Sequence, residues 1–381
     1  MSSKDIGFVG SLQQAGRVLA IATETGSGKA IAPVLRALAA QNCKVKAFLS
    51  IATLSFMNEQ QKSHPREDFH PVSKDMSVQA VCDAFAPDVI LVGTTATESA
   101  ERRLTVYARD QNISTVAVID ERYGYGRRFS KEGRDLHYLT DIVTFMDEQC
   151  REDAIAEGLS PSQLYVTGSP ILSDLFYHSS TITRDSGPSI CSEDMSIKKV
   201  AFISETFVRD NGSSPSQSGR LGPFLGFTEE TVRRDILAVL NEIGRPVVLI
   251  ERMHPSDRQI PRKKRISDRV FWRQVNEGDL WSLLLQSDVV IGMRSMALLE
   301  AALLGCRTAS YQPNLIGKNK CAAVRWGVAQ RLDATEDLQV WLGESLAVEA
   351  QSVQVCKELP FIRSDAAQQV ANLVLNAKRA P

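Results

Sequence analysis

The chain has 381 residues, more than one ordinary domain, so its length indicates two domains. Its composition, 43% hydrophobic and 23% charged, is typical of a globular protein and excludes extensive disorder. With 44 basic and 45 acidic residues, the net charge of −1 supplies no overall field for nucleic acid or an anionic membrane, so no nucleic-acid partner is expected.

The N-terminus, the cysteines and the histidines bear on compartment and metal content. Residues 1–5 lack the features of a signal peptide, and no apolar run approaches the ~20 residues of a membrane span. The seven cysteines include no Cys-x-x-Cys pair, and the five histidines have no ligand spacing. We therefore predict a cytoplasmic protein with reduced thiols, no metal site and no transmembrane segment.

Strands and helices alternate through the first part of the chain. Short apolar runs predict strands at 17–23, 44–50, 88–93, 115–120, 141–146 and 163–168. Helical segments are predicted at 29–41, 78–86, 97–111 and 147–158. Because short apolar strands between helices are typical of a covered parallel sheet, we predict an N-terminal α/β domain over 1–172.

The alternation stops and then restarts. Residues 173–197, rich in Ser, Thr, Asp and Gly, predict an interdomain linker. Strands at 199–204, 246–251, 268–272, 288–292 and 307–311, with helices at 229–243, 279–286, 295–304 and 336–350, predict a C-terminal α/β domain over 198–362. The segment 363–381 predicts a helix that packs back on the N-terminal domain. The fold class is α/β, with two doubly wound Rossmann-like domains and a ligand-binding cleft between them.

Two strand ends in the C-terminal domain carry candidate phosphate ligands. Arg252, His254 and Ser256 alternate along the exit of one strand, so one face of this exit points toward the predicted cleft. Arg294 and Ser295 lie where another strand meets an apolar helix, whose first turn is predicted to present Ser295 and free N–H groups to an anion. These residues predict a nucleotide phosphate site without a P-loop.

Each of these positions also has a structural interpretation. His254 is also compatible with an ordinary loop residue. Ser295 is also compatible with a helix N-cap, which would stabilise the helix by about 1 kcal/mol. Glu300 lies in an apolar helix, where a carboxylate needs a partner. Either a ribose hydroxyl or a structural arginine would supply that partner.

The segment after the first strand contains Glu24, Gly26, Ser27 and Gly28. It resembles a Walker A loop but has Thr at position 23 and Ala at position 30, which excludes that motif. It is either a plain strand-to-helix turn or a loop that contacts the acceptor or a diphosphate.

The stretch 120–128 follows the fourth strand and is rich in acids, glycines, aromatics and arginines. It is either a ligand-binding loop or a solvated loop of ion pairs. A transferase needs a base for the attacking hydroxyl. Asp120 is the first candidate for that base, Glu121 the second and Glu24 the third.

Two further segments have weaker signals. The basic run 258–265 is similar to a nucleic-acid patch, but the balanced charge of the chain favours a solvated face. The segment 210–226, rich in Gly, Ser and Pro, is long enough to be a closing lid.

Three stretches are similar to the GT-B glycosyltransferase superfamily, which includes the non-hydrolysing UDP-N-acetylglucosamine 2-epimerase. Residues 22–28 resemble its first glycine-rich loop, and 157–170, with Glu157-Gly158 and Thr167-Gly168-Ser169-Pro170, resembles the segment that ends its first domain. Residues 288–304 resemble its donor site, where a hydroxyl meets phosphate (Ser295) and an acid meets ribose (Glu300). His254-Pro255 is similar to the HP motif of bacterial sialyltransferases and of wall-polymer glycerophosphotransferases.

This resemblance implies a nucleotide-activated sugar donor in the C-terminal domain and an acceptor in the N-terminal domain. The hypothesis is a metal-independent, inverting glycosyltransferase of polysaccharide or glycoconjugate biosynthesis. The nucleotide-sugar is a substrate, so no cofactor is expected. Arg294 and His254 would stabilise the leaving phosphate. The nucleotide, the sugar and the acceptor stay unspecified, and a homodimer stays open.

Two alternatives stay open beside the transferase. One is a sugar-nucleotide 2-epimerase of the same fold, hydrolysing or not; the other is a non-catalytic nucleotide-binding scaffold. The family's epimerases carry a His-Arg-Arg-Glu-Asn type segment where this chain has 204–211 without histidine. Their paired acids are matched only by Glu98 and by Asp120-Glu121, so the sequence favours transfer over epimerisation.

Overall fold

The computed structural model describes residues 16–60, 68–73, 75–132, 134–178, 197–257, 259–348 and 359–377. Contacts divide the chain into an N-terminal unit, Met1–Ile171 with Arg363–Pro381, and a C-terminal unit, Leu172–Ile362. Each unit has its own seven-stranded sheet. The α/β class and the two Rossmann-like sheets predicted from the sequence are confirmed.

The N-terminal sheet is parallel throughout, in the order β3-β2-β1-β4-β5-β6-β7. Its central strands β1, β4 and β5 are almost wholly buried, because helices cover both faces. The strands are β1 (Arg17–Ala22), β2 (Lys44–Leu49), β3 (Asp68–Pro71), β4 (Val89–Val92), β5 (Ser114–Val118), β6 (Ile142–Phe145) and β7 (Leu164–Val166).

Among the described residues, six α-helices accompany these strands, and another joins them from the end of the chain. A further helix, α7 (Pro170–His178), begins at the end of this unit and lies mostly in the C-terminal unit. The last helix, α14 (Ala366–Asn376), packs against α1 and belongs to the N-terminal unit. The other six are α1 (Thr25–Ala40), α2 (Ile51–Gln60), α3 (Val78–Phe85), α4 (Ala100–Asp110), α5 (Tyr125–Phe129) and α6 (Glu148–Ala156).

The first residues of the linker predicted at 173–197 are helical, in contrast to the expectation. Helix α7 extends through its first residues, because Leu172 and Leu175 bury their side chains on one face of a continuing turn. The remaining part, 179–196, lies outside the described residues.

The C-terminal sheet has the order β10-β11-β9-β8-β12-β13-β14, parallel except for the β10–β11 pair. Its strands are β8 (Lys198–Ile203), β9 (Val247–Arg252), β10 (Lys263–Arg265), β11 (Val270–Val275), β12 (Val289–Gly292), β13 (Arg307–Tyr311) and β14 (Gln330–Leu332). Its helices are α8 (Phe207–Asn211), α9 (Glu229–Ile243), α10 (Leu280–Gln286), α11 (Ala297–Leu303), α12 (Ala322–Arg325) and α13 (Thr335–Ala347).

The core of the C-terminal unit lies between this sheet and helices α9 and α13. Phe202, Leu249 and Ile291 of the sheet and Ile236 and Leu342 of the helices are fully buried there. In both units the carboxyl ends of the parallel strands meet at one edge of the sheet, where ligands of this class of fold bind. Among the described residues, no helix has the length and apolar character of a membrane span.

Candidate functional site

Three carboxylates meet at the carboxyl edge of the N-terminal sheet. Glu24 follows β1, and Asp120 and Glu121 follow β5. Thr95, after β4, donates to Glu24 Oε1 at 2.8 Å, and Thr94 lies 3.4 Å from Asp120 Oδ1. We call Glu24, Asp120 and Glu121 the N-terminal carboxylate cluster.

A buried arginine from α5 holds two members of this cluster. Arg128, 8% exposed, places Nη1 3.1 Å from Asp120 Oδ1 and Nη2 2.8 Å from Glu121 Oε2. Its Nη1 also donates to Thr94 Oγ1 at 2.9 Å. Arg102 of α4 donates to the Arg128 carbonyl at 3.1 Å and so fixes the backbone of Arg128. The guanidinium orients both carboxylates and balances part of their charge.

The surroundings of Asp120 raise the pKa of its carboxyl group to near neutral pH. Its side chain is only 12% exposed, and this burial raises the pKa of Asp120 to about 7. Arg128 opposes the rise, while the neighbouring Glu121 and Glu24 add to it. A carboxyl group with this pKa can give or take a proton at physiological pH.

The predicted acceptor or diphosphate loop is not a loop. Gly26, Ser27 and Gly28 form the first turn of α1, and Glu24 is its N-cap residue. A Cβ on Gly26 would lie 2.7 Å from Asp120 Oδ2, and one on Gly28 would lie 2.1 Å from Thr53 Oγ1. The buried Ser27 donates to the Glu24 carbonyl at 3.1 Å. Gly26 and Gly28 therefore make room for neighbouring side chains within the unit, and the contact of this segment with an acceptor or a diphosphate stays a prediction.

Two other acids of the N-terminal unit have distinct positions. The Glu98 side chain is 60% exposed and pairs with Arg103 at 3.6 Å, so it is a surface residue. Glu101 is 3% exposed and accepts from Thr23 Oγ1 at 2.8 Å. Burial raises the pKa of Glu101 as well. Glu101 lines a small, partly polar cavity together with Thr94, Thr95, Arg102, Arg128 and Tyr138.

At the edge of the C-terminal sheet, a carboxylate occupies the position predicted for a phosphate. Glu205, just after β8, accepts from the backbone N–H of Arg294 at 2.8 Å and of Ser295 at 3.1 Å. The Arg294 Nε lies 3.6 Å from the other Glu205 oxygen. Ser295 does not lie in the first turn of the helix, because α11 begins at Ala297, whose N–H donates to Ser295 Oγ at 3.2 Å.

His254 and Ser256 interact directly after β9. The Ser256 N–H donates to His254 Nδ1 at 3.1 Å, and Ser256 Oγ lies 2.7 Å from the same nitrogen. Since Nδ1 accepts from the backbone, the neutral ring carries its proton on Nε2. Arg209 of α8 donates to Ser256 Oγ at 2.9 Å. A basic side chain and an imidazole therefore share one serine at this strand end.

Two predicted donor-site residues make structural contacts. Arg252 donates to the carbonyl oxygens of Glu277 and Gly278 and so anchors the loop before α10. Glu300, 8% exposed, accepts from the indole N–H of Trp281. The partner of Glu300 is thus a tryptophan rather than the arginine that the structural interpretation expected.

The segment predicted as a lid folds back on itself. Leu221 N–H donates to the Asp210 carbonyl at 2.6 Å, and the Arg220 guanidinium lies 3.2 Å from the Asp210 carboxylate. Asn211 donates to the Pro223 carbonyl at 3.3 Å. Backbone and side-chain bonds therefore hold both ends of this segment together.

Sequence reasoning missed the two residues that organise these edges, Arg128 and Glu205. Both lie in stretches that follow predicted strands, so their proximity to the site was visible. The acidic partners of Arg128 lie in the same stretch 120–128, for which the sequence left a loop of ion pairs open. The partners of Glu205 were not visible, because they lie about 90 residues further along the chain. Thr94 and Thr95 also directly follow a predicted strand, so their position near the site could have been inferred from the sequence. Among the described residues, no group of three or more His, Cys, Asp or Glu side chains could hold a metal ion.

Comparison with known proteins identifies solved structures that have a similar fold. No protein-family model matches the sequence, and no curated protein matches it. UDP-GlcNAc 2-epimerase from Neisseria meningitidis, solved with UDP-GlcNAc bound, is 13% identical, with a TM-score of 0.63 over 94% of this chain and 99% of that one. UDP-GlcNAc 2-epimerase from Methanocaldococcus jannaschii, in complex with UDP-GlcNAc and UDP, is 11% identical, with a TM-score of 0.62 and the same coverage.

A glycosyltransferase has the same fold. The glycosyltransferase of kitacinnamycin is 12% identical, with a TM-score of 0.57 over 97% of this chain and all of that one. The neighbours are thus enzymes, mostly UDP-GlcNAc 2-epimerases, and at these identities the likeness establishes the fold. The chain has the two-domain α/β fold of the GT-B glycosyltransferases and UDP-GlcNAc 2-epimerases.

Proposed function

We propose that the chain acts on a nucleotide-activated sugar and that Asp120 moves a proton at the second carbon of that sugar, as a sugar-nucleotide 2-epimerase, hydrolysing or not. The observation that carries the proposal is a buried carboxyl with a pKa of about 7, clamped by Arg128 at the ligand-binding edge of the N-terminal sheet. The structures of similar fold that hold UDP-GlcNAc support this choice of substrate class.

The chemistry requires a base and a stabilised leaving group. Asp120 takes the proton from the second carbon while the bond from the first carbon to the nucleotide oxygen breaks and the nucleotide leaves with the bonding electrons. Addition of a proton to the opposite face of the second carbon, with return of the nucleotide oxygen to the first carbon, gives the epimerised sugar nucleotide. Addition of that proton with water at the first carbon instead gives the free sugar and the free nucleotide. Arg128, which also binds Glu121, keeps the Asp120 carboxyl in place through both steps.

The C-terminal unit would hold the nucleotide. The backbone N–H groups of Arg294 and Ser295 already donate to one anionic group, the Glu205 carboxylate, and a phosphate oxygen would accept the same hydrogen bonds. His254 and Ser256 lie after a nearby strand of the same sheet and supply further donors. In this proposal Arg294 stabilises the charge on the leaving phosphate.

Glycosyl transfer is the second candidate. The segment 204–211 contains Glu205 where the epimerases of the family are expected to carry histidine and arginine, and a glycosyltransferase shares the fold. In that reaction Asp120 would take the proton of an acceptor hydroxyl. The two candidate reactions differ in one requirement, because a transferase needs an acceptor molecule and an epimerase does not.

Proton NMR of UDP-GlcNAc incubated with the protein in deuterated buffer tests the proposal. We expect deuterium at the second carbon, together with an epimerised sugar nucleotide or free UDP, without any acceptor and with or without EDTA. Asp120→Asn should abolish all of these signals, while Asp75→Asn, an equal change at an exposed site, should keep them. Release of UDP that depends on an added acceptor would favour transfer. Unchanged substrate under every condition would refute both candidates.

A further inference from the structure

The outer edge of the C-terminal sheet carries an unusual concentration of positive charge. Between residues 262 and 273 the chain has six basic residues and one acidic residue, although its net charge is −1. Strand β10 (Lys263–Arg265) is the last strand of the sheet, and all three of its residues are exposed. We call the continuously exposed segment 259–265 the basic edge.

The register of the strands places two like charges opposite each other at this edge. Lys263 of β10 lies directly opposite Arg273 of β11. Like charges at opposite positions of an antiparallel pair weaken the pairing. Arg265 has one acidic neighbour, Asp268, at 3.6 Å, and both side chains are largely exposed, so this ion pair contributes little. Within the described ranges, no acidic side chain pairs with Lys263 or Lys264.

An apolar side chain stands beside these charges. Ile260 is 85% exposed, the most exposed large hydrophobic side chain among the described residues. Lysines on an edge strand can block pairing with other edges, but an exposed isoleucine on the same edge works against that purpose. Basic residues flanking an exposed aliphatic side chain fit the boundary of an anionic bilayer, where charges meet headgroups and the apolar group enters the acyl region.

We propose that the basic edge is a docking surface for an anionic phospholipid membrane. A nucleic acid fits the edge less well. Binding of single strands relies on exposed aromatic rings for base stacking, whereas Trp272 is 9% exposed and Phe271 is half-buried. The proposal concerns only the C-terminal unit and is independent of the activity proposed above.

Sedimentation with lipid vesicles tests this surface. We expect the protein to bind phosphatidylcholine vesicles that contain phosphatidylglycerol, not vesicles of phosphatidylcholine alone, and to dissociate at high salt because the charges are screened. The triple variant Lys263→Glu, Lys264→Glu, Arg265→Glu should bind at least about a hundredfold more weakly. Ile260→Ser should weaken binding roughly tenfold, because it removes the inserted side chain.

Matched variants separate this surface from general charge and hydrophobicity. Lys44→Glu, Lys131→Glu, Arg134→Glu makes the same charge change at exposed sites of the N-terminal unit, and Ile316→Ser removes another exposed isoleucine; both should bind like the wild type. Equal binding to both vesicle types, or no binding, would overturn the proposal and leave protection of an edge strand as the role of the charges. Tighter binding to an oligonucleotide than to the anionic vesicles would overturn it in favour of nucleic acid.

Discussion

At the scale of single residues, Asp120 is the group on which the functional proposal depends. It follows a buried strand, and a carboxyl at such a strand end can be recognised from the sequence. Its protonation behaviour cannot be recognised there, because it arises from burial, from Glu24 and Glu121, and from Arg128. These groups come from three separate segments of the N-terminal unit, which only the folded sheet and α5 bring together.

The raised pKa of Asp120 predicts a pH-dependent stability. The folded-state pKa, about 7, lies above the usual aspartate value of 3.8, so the fold favours the protonated acid. The stability that this group contributes is fully present below pH 3.8 and is lost as the pH rises through 7. Asp120→Asn, which mimics the neutral acid, should therefore raise the free energy of unfolding at pH 8 by up to about 4 kcal/mol relative to wild type.

Urea unfolding at pH 5 and pH 8 measures this effect. The advantage of the Asp120→Asn variant over the wild type should be larger at pH 8. An advantage of equal size at the two pH values would show that Asp120 does not titrate between them.

Because the charge of Arg128 lowers the pKa of Asp120, replacing Arg128 should change the pH dependence of activity. Removing its charge should raise the pKa of Asp120 further, so the acidic limb of kcat/KM should move about one to three pH units upward. Because Arg128→Met leaves two carboxylates without a buried partner, the variant Arg128→Lys provides a milder change that keeps the charge. The exposed neighbour Arg127→Met is the matched control. Loss of activity without any movement of the limb would assign Arg128 a purely structural role.

At the scale of elements, the sequence predicted the buried strands well and the edge strands poorly. Strands β1, β4 and β5 are buried on both faces, because helices cover them, and the apolar runs within them are conspicuous. The outer strands β3 and β10 have few or no buried side chains and leave no apolar run. The five-residue helices α5 and α8 were missed for a similar reason, since they are too short to show a helical period.

The junction between β12 and α11 predicts an effect on nucleotide binding. Glu205 occupies the backbone N–H groups of Arg294 and Ser295, and its carboxylate would repel a phosphate. Glu205→Ala should therefore bind UDP more tightly, by roughly tenfold or about 1.4 kcal/mol in isothermal titration calorimetry. The exposed Glu277→Gln supplies the same charge change elsewhere and should leave the affinity unchanged. Weaker binding by Glu205→Ala would mean that Glu205 itself supports the nucleotide.

At the scale of the whole molecule, the chain returns to its first unit after completing the second. Helix α14 buries Val370, Ala371 and Val374 against the N-terminal unit, where it packs on α1. The apolar spacing of this helix is visible in the sequence. The surface that it covers is set by the complementary face of α1 and by the neighbouring strands, which local periodicity does not encode.

This arrangement predicts that a change near the C-terminus weakens the N-terminal unit. Val370→Asp places a charge in a fully buried position and should cost more than about 3 kcal/mol. Hydrogen exchange should become faster in β1, β4 and β5 and stay unchanged in β8, β9 and β12. Leu342→Asp, in the buried face of α13, should give the opposite pattern. Faster exchange in β8, β9 and β12 of Val370→Asp would contradict the assignment of α14 to the N-terminal unit.

The most direct test of the account is the titration of Asp120 itself. Carbon-13 NMR of protein labelled at the aspartate carboxyl carbons, with Asp120→Asn for assignment, follows that group through its pKa. We expect one aspartate resonance to titrate near pH 7 and to be missing from the variant. If every aspartate instead titrates below about pH 5, within the ordinary range of the residue, then Asp120 is a permanent anion and the proposed proton transfer has lost its basis.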